Sequence, residues 1–484
     1  MEHDQEHHQE HDQDGGDLVQ QALRDADDTD VVLRGRGVLA RTGQVFTELF
    51  GQARGVVVAD GNTWEAAGRA VQDSLRQAGV ELAEPCVLPA VPTLYADYRN
   101  VELLRERLRD LDAVACSVGS GTLNDLAKLA SEELGRRYMH VCTAASMDGY
   151  AAFGAAITRE GFKQTMTCRA PQGLVADLDV IARAPRRCTA SGVGDLIEKI
   201  PAGADWILAD ELGIEPIDHE AWNLAQGSLG RAVGDPEGLV AGRAEAFEGL
   251  LEGLVMSGLS MQRYRASSRP ASGAGHQFSH TWEMEHLGAE QEPPLTHGFK
   301  VGLGTVAVLA LWERVVGPGS AGSAGSAGDA DSAGGTDLGA LDVDAAVAAW
   351  PSAEQEEARV RASFTGAMVE PAVRQTMAKY VSAEELRQRL ELVRRSWPQV
   401  RRRCRAQLVA AAEVESLLRR VGGVYHPQQV GLSRQRFRDT YLRSRMIRSR
   451  YTLLDLLYQA GVLEAEVDAL FCDGGFWAAR PWSR

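Results

Sequence analysis

Four of the eleven histidines fall in one short window, at His276, His280, His286 and His297. His276 and His280 are spaced i,i+4, so on a helix they share one face. His297 follows on a separate segment, after Pro293 and Pro294. Two imidazoles from different segments, joined by one carboxylate, form a donor set for a catalytic divalent metal with an open position. The same spacing also fits a polar helix end with hydrogen-bonded histidines, because beyond the His-rich tail the chain has no HExxH and no second HxxxH. The carboxylate must come from elsewhere. Asp195, in Gly192-Val193-Gly194-Asp195, stands where the sequence pattern changes class.

A second chemical feature is the run Val118-Gly119-Ser120-Gly121-Thr122-Leu123-Asn124-Asp125, which follows the apolar stretch Ala113–Ser117. Glycines permit a tight turn and a close ligand approach, and a following helix offers free N–H groups to a phosphate. The run is not a GxGxxG fingerprint, so a plain strand-to-helix turn accounts for it equally well. The next strand candidate ends in Thr143-Ala144-Ala145-Ser146-Met147-Asp148. That places small hydroxyl residues at the strand edge where open α/β sheets bind ligands.

These residues need a scaffold. From Val31 to about Ala184 short β-like runs alternate with helical spacing: 55–58, 86–88, 113–117, 138–142 and 174–180 against 64–78, 101–111 and 123–134. That alternation predicts a parallel sheet with right-handed crossovers. From Pro185 onward helical periodicity takes over, in 244–261, 303–316, 368–380, 383–396 and 399–421, which predicts an all-α part. The expected organisation is a disordered acidic, His-rich tail and lead-in (1–30), a Rossmann-like α/β domain (31–184) and a helical domain (185–484). Within the helical domain a Ser-Ala-Gly-rich flexible insertion spans 317–340.

Length and composition bound the rest. A chain of 484 residues divides into two to four domains at roughly 100–200 residues each. The net charge of −16 argues against a nucleic-acid or anionic-membrane partner, yet it is unevenly spread. Residues 1–14 carry −6 and 317–340 carry −3, leaving −7 on the remainder. Residues 401–450 hold 13 arginines, no lysine and three acids, a local excess of +10. A nucleic-acid-binding module is the non-enzyme reading of that segment, and solvated helices paired with acids elsewhere are the plainer one. The longest apolar run, Val301–Trp312, is shorter than the ~20 residues a membrane span requires. The N-terminus has no apolar core of a secretory signal. Seven scattered cysteines without a CxxC point to free thiols in a reducing cytoplasm.

Taken in order, GSGTLNDLAK, TAASMDGYAAFGAAI, GFKQT, ADLDVIARAP, GVGDLIEK and ADW resemble the sn-glycerol-1-phosphate dehydrogenase family. That family lies within the iron-containing alcohol dehydrogenase, glycerol dehydrogenase and dehydroquinate synthase superfamily. The resemblance covers about 55–212 and 276–304, with a weaker echo in 436–457. It implies a dehydroquinate synthase-like two-domain architecture with the active site in the cleft. It also implies NAD or NADP as cofactor, and one divalent metal, zinc, nickel or iron. By motif matching, Gly121, Thr122, Leu123, Asn124 and Asp125 would line the cofactor pyrophosphate. Thr143 and Ser146 would contact the cofactor further along, with Asp60 near its adenosine end. Asp195, His276 and His297 would ligate the metal. Asp148, Asp195 and His280 would meet the substrate, with His280 and Asp148 in catalytic roles.

The implied reaction is hydride transfer between glycerone phosphate and sn-glycerol 1-phosphate, a small phosphorylated polyol, in a homo-oligomer. Lys163 and Lys199 are candidates for holding its phosphate. A reductase of another small polyol or phosphorylated carbonyl is the near alternative. A dehydroquinate synthase-like cyclase ranks lower, because that branch usually has Glu where Asp195 stands. Three departures from the family pattern are Ala152, where Ser is frequent, GSG in place of GGG, and the unmatched tail and 317–340 insertion.

Overall fold

The computed structural model describes residues 18–319 and 335–482. The tail 1–17 and the stretch 320–334, on which part of the expectations above fall, lie outside the described residues.

Six strands form one parallel sheet: β1 (Val31–Gly35), β2 (Gly55–Asp60), β3 (Cys86–Leu88), β4 (Val114–Gly119), β5 (Tyr138–Cys142) and β8 (Gly173–Asp177). The sheet order is β1-β8-β5-β4-β2-β3. Runs such as GVVVAD and YMHVC are buried along nearly their whole length, as parallel strands covered on both faces must be. After β2 the chain first adds β3 on one side and then β4 on the other. The strand order therefore reverses between β2 and β4, and their carboxyl ends open a ligand crevice. An antiparallel hairpin, β6 (Ala155–Arg159) and β7 (Phe162–Met166), stands apart from this sheet.

Beyond β8 the chain is helical, so the α/β-plus-all-α class expected from the sequence is the class observed. The helix His297–Val316 runs through the middle of this part, buried on nearly every face. Its apolar run is a core element, and no helix among the described residues is long and apolar enough to cross a membrane.

Several element boundaries differ from the sequence expectation. The run 174–180 is a strand only to Asp177, whose side chain caps the short helix Leu178–Ile181. The segments 383–396 and 399–421 redivide. One helix, Ala383–Gln407, passes through Pro398, and Ala411–Val421 follows after a break. Proline removes one backbone donor. The stripe Leu386, Leu390, Val393, Trp397, Val400 and Cys404 stays in phase across it and holds the helix on the core.

The lead-in is not unstructured throughout. Leu18–Leu23 is helical with Val19 fully buried, and Gln262 accepts from the Asp28 amide at 3.1 Å and donates to Thr29 Oγ1 at 2.8 Å. The far end of the 317–340 insertion is likewise docked: Glu466 accepts the Thr336 amide at 2.9 Å and Leu338 is fully buried.

The arginine-rich segment spends its charge inside the chain. Arg403 pairs with Glu211 at 2.5 Å, Arg438 with Asp468 at 2.5 Å, and Arg445 with Glu356 at 2.7 Å. Arg436 and Arg443 share Glu285 at 2.8 and 2.7 Å. These five arginines are paired with acids elsewhere in the chain, as the plainer reading of the segment expects.

Candidate active site

Asp195 lies in the helix Arg186–Leu196 and is fully buried. Two glycines bring His297 to it. A Cβ on Gly298 would stand 1.8 Å from the Ser191 carbonyl oxygen, and one on Gly194 would stand 2.3 Å from that of Gly298. The two helices therefore cross backbone on backbone. Gly298→Ala must push them apart. It should cost about 3 kcal/mol, read by denaturant unfolding, because the obstructing atom is rigid main chain.

His276 sits in the first turn of the helix Ala274–Met284. Glu198, three residues beyond Asp195, accepts the Gly273 amide at 3.0 Å and contacts His276 Nδ1 at 2.8 Å. Glu283 meets His297 Nδ1 at 2.8 Å in the same way. Each imidazole is thus turned by a buried carboxylate so that its Nε2 faces Asp195 Oδ1, at 3.3 Å for His276 and 3.8 Å for His297. The donor atoms of Asp195, His276 and His297 lie within 4.8 Å of one another.

This cluster calls for a cation. Asp195 Oδ2 accepts the Asp148 amide at 2.9 Å, whereas buried Oδ1 has no well-formed hydrogen-bond partner. An orphaned carboxylate oxygen facing two imidazole nitrogens repels their lone pairs unless positive charge sits between them. Burial opposes the charged imidazole of His276, but Glu198 and Asp195 outweigh it and raise the His276 pKa to about 9. A proton there stands where a metal ion fits. The donor set, one carboxylate and two carboxylate-oriented imidazoles, could hold a divalent transition-metal ion.

The cluster opens on a cavity of about 570 Å³. Its walls include Asp148, Asp195, His276, His280 and His297 from the expected set, together with Lys163 and Lys300. His280 stacks on His297 with ring centroids 5.9 Å apart, and Arg448 donates to its Nδ1 at 3.1 Å. Burial, and then Arg448, hold its pKa well below the ordinary imidazole range. Neutral His280 with Nδ1 accepting carries its proton on Nε2. Asp148 pairs with Lys199 and accepts from Ser257 Oγ at 3.0 Å.

The opposite wall is the sheet edge. Ser120, Gly121, Thr122, Asp125 and Ser146 line the cavity. A Cβ on Gly121 would lie 2.7 Å from the Met147 side chain, so glycine permits this close packing. Not every residue of the motif faces the crevice. Leu123 packs into the core, and Asn124 is fully buried, donating to the Gly149 and Tyr150 carbonyls at 3.3 Å and accepting from Tyr138 at 2.9 Å. On a helix, consecutive residues point in different directions, so only part of a matched loop can meet a ligand. Thr143 and Asp60 lie at the carboxyl ends of β5 and β2, off the cavity wall. The Asp60 carboxylate caps the turn Gly61–Thr63, accepting from the Thr63 amide at 2.8 Å. Ala152 lies on the wall.

Lys199, one of the two phosphate candidates, lies away from the cavity and is no surface lysine either. It is fully buried, donates to the Asp195 carbonyl at 2.8 Å and is absent from the cavity wall. It is unavailable to a substrate phosphate because it neutralises the two carboxylates beneath the site. Lys163, in β7, reaches the wall but is held by Glu283 at 3.0 Å. Sequence reasoning did not single out Glu198, Glu283, Lys300 or Arg448. The available signal was spacing: Glu198 follows Asp195, and Glu283 follows His280, by three residues.

Residues 34–185 match the model of the family described as iron-containing alcohol dehydrogenase. The glycerol-1-phosphate dehydrogenase [NAD(P)+] of Pyrococcus furiosus is 33% identical over 289 residues, 59% of this chain and 80% of that one. The chain belongs to the glycerol-1-phosphate dehydrogenase family. A glycerol-1-phosphate dehydrogenase of Halalkalibacterium halodurans is 36% identical over 260 residues, 53% of this chain. The match spans 64% of that relative's length, and 62% of the one from Bacillus velezensis. Among solved structures, a probable glycerol dehydrogenase from Sinorhizobium meliloti superposes with a TM-score of 0.56 at 14% identity, over 92% of this chain and 98% of its own. The fold of that structure therefore extends across nearly the whole chain, beyond the 53–59% of it that the named relatives match in sequence.

Proposed function

We propose that this family member is a metal-dependent NAD(P)-linked oxidoreductase that interconverts glycerone phosphate and sn-glycerol 1-phosphate. The observation that carries the reading is the convergence of Asp195, His276 and His297 on a cavity whose other wall is the open helix end at Gly121. Relatives named glycerol-1-phosphate dehydrogenase [NAD(P)+] supply the reaction class.

In this reading Asp195, His276 and His297 hold a divalent ion, zinc, nickel or iron. When bound, the ion supplies Lewis-acid polarisation of the substrate's carbonyl or alcohol oxygen. The residues of the chain do the rest. The amides at the start of the helix Gly121–Glu133 receive the cofactor pyrophosphate. Thr122, Asp125 and Ser146 flank the dinucleotide, with Thr143 and Asp60 further along the edge. His280 presents Nε2–H to the substrate oxygen as a hydrogen-bond donor and orients it. Asp148, fixed by Lys199 and Ser257, orients a substrate hydroxyl. The reading extends to a homo-oligomer in a reducing cytoplasm, consistent with seven free thiols.

The test is oxidation of NADH and of NADPH by glycerone phosphate, followed by absorbance, after loading the protein with each metal in turn. Turnover with at least one metal and one cofactor is the expected result. No turnover in any of the six combinations would overturn the substrate assignment.

A further inference from the structure

We propose that Lys300 forms an anion subsite that receives the phosphate of a phosphate-monoester substrate. The proposal rests on the preceding reading only in taking the cavity as the substrate site.

The chain has five lysines against 46 arginines, and all five are shielded from solvent. Four have built partners. Lys128 donates to the carbonyls of Gly149, Ala152 and Gly154, the last at 3.0 Å. Lys163 pairs with Glu283, Lys199 with Asp148, and Lys379 with Asp455 at 2.7 Å. Lys300 is the exception. It is 5% exposed, it lines the cavity, and among the described residues it makes no hydrogen bond or ion pair.

The neighbouring carboxylate is already committed. One Glu283 oxygen meets His297 and the other Lys163. Arg448 adds a further, half-buried cation, which donates to His280 Nδ1. The wall beside His280 and His297 therefore carries more positive than negative charge. A buried ammonium without a counter-ion is costly, and a bound anion removes that cost. Burial also holds the Lys300 pKa below the ordinary ammonium range.

Placement selects the ligand. Lys300 is one helical turn from His297, so its Cβ is about 5–6 Å from that of the histidine. An anion on Lys300 and an oxygen at the Asp195–His276–His297 cluster then belong to a molecule only a few atoms long. A lysine meets a phosphate as a compact point charge, without the bidentate geometry arginine demands.

The experiment titrates inorganic phosphate into the full-length, zinc-loaded protein by calorimetry, comparing wild type, Lys300→Met and Lys300→Arg. Lys300→Met should weaken phosphate binding about 10- to 100-fold, the range of a lost charge-assisted hydrogen bond. Lys300→Arg should recover most of it. Phosphate should raise the melting temperature of wild type and no longer do so for Lys300→Met, which also reports whether the variant is folded. With glycerone phosphate, Lys300→Met should raise KM by a similar factor and leave kcat/KM for unphosphorylated dihydroxyacetone within about twofold. Wild type that binds no phosphate, or Lys300→Met that binds it equally well, overturns the proposal. Wild type that binds phosphate through Lys300 but turns over neither ketone sinks the functional reading and leaves the subsite standing.

Discussion

Replacing His276 with alanine should strip the site of its metal. After identical loading and dialysis, wild type should retain about one divalent ion per chain, and His276→Ala less than about a tenth of that. Losing even an outer partner of a ligand typically costs 10- to 100-fold in metal affinity, and a direct donor costs at least as much. Turnover should fall with the ion, by about three orders of magnitude or more. The variant should still fold. Glu198 would lose the imidazole but keep the Gly273 amide at 3.0 Å, so its buried charge is not stranded. Glu198→Gln gives a graded companion: the imidazole stays, its orientation is looser, and affinity falls within that 10- to 100-fold range. His280→Ala separates the two roles, because it should keep the ion and lose the rate. Stoichiometric metal in His276→Ala, measured by elemental analysis, would move the ligand set elsewhere.

The sheet was readable where burial on both faces forced a continuous apolar run. Gly55–Asp60, Val114–Gly119 and Tyr138–Cys142 are of that kind, and their positions followed from β-branched and small apolar residues alone. The hairpin was not readable. FKQTM is half polar and only partly buried, and its place comes from docking beside the cavity, a tertiary effect with no local signature. The helix through Pro398 shows the same limit in reverse. A strong breaker suggests an end, and an apolar stripe six residues long overrides it.

At the site, spacing put His276 and His280 on one helix face, and family resemblance supplied Asp195. What spacing does not encode is orientation. Three-residue spacing from Asp195 and His280 marks Glu198 and Glu283 among 67 acidic residues, but not that their carboxylates meet the two Nδ1 atoms and decide where both Nε2 atoms point. Likewise GSGTLNDL marks one loop, but its helix sends Thr122 to the cavity and Leu123 to the core. The glycines at 194 and 298 read as ordinary small residues until two helices are seen to touch through them.

Lys199→Met should destabilise the metal-free protein by about 3–5 kcal/mol, the usual cost of stranding one side of a buried ion pair. Lys199 is fully buried between Asp148 and the Asp195 carbonyl, and methionine fills similar volume, so the loss is electrostatic and not a packing defect. Burial opposes ionisation of Asp195, but Lys199, and after it His276 and His297, hold its pKa far below the usual carboxylate range. In wild type the carboxylate is ionised in the folded and unfolded states alike between pH 5 and 8, so this group adds no slope there. Without Lys199 the folded-state affinity of buried Asp195 for protons rises above that of the unfolded chain. The folded variant then binds more protons, and its stability falls as pH rises through the new pKa. The deficit against wild type should therefore be widest near pH 8 and narrow toward pH 5. Urea unfolding of the metal-free proteins at both pH values measures it. A divalent ion should recover part of the loss, because its charge falls on Asp195, and that recovery should exceed the stabilisation it gives wild type if binding survives the substitution. A deficit that is small, or the same at both pH values, would show that Lys199 does not neutralise the floor of the site.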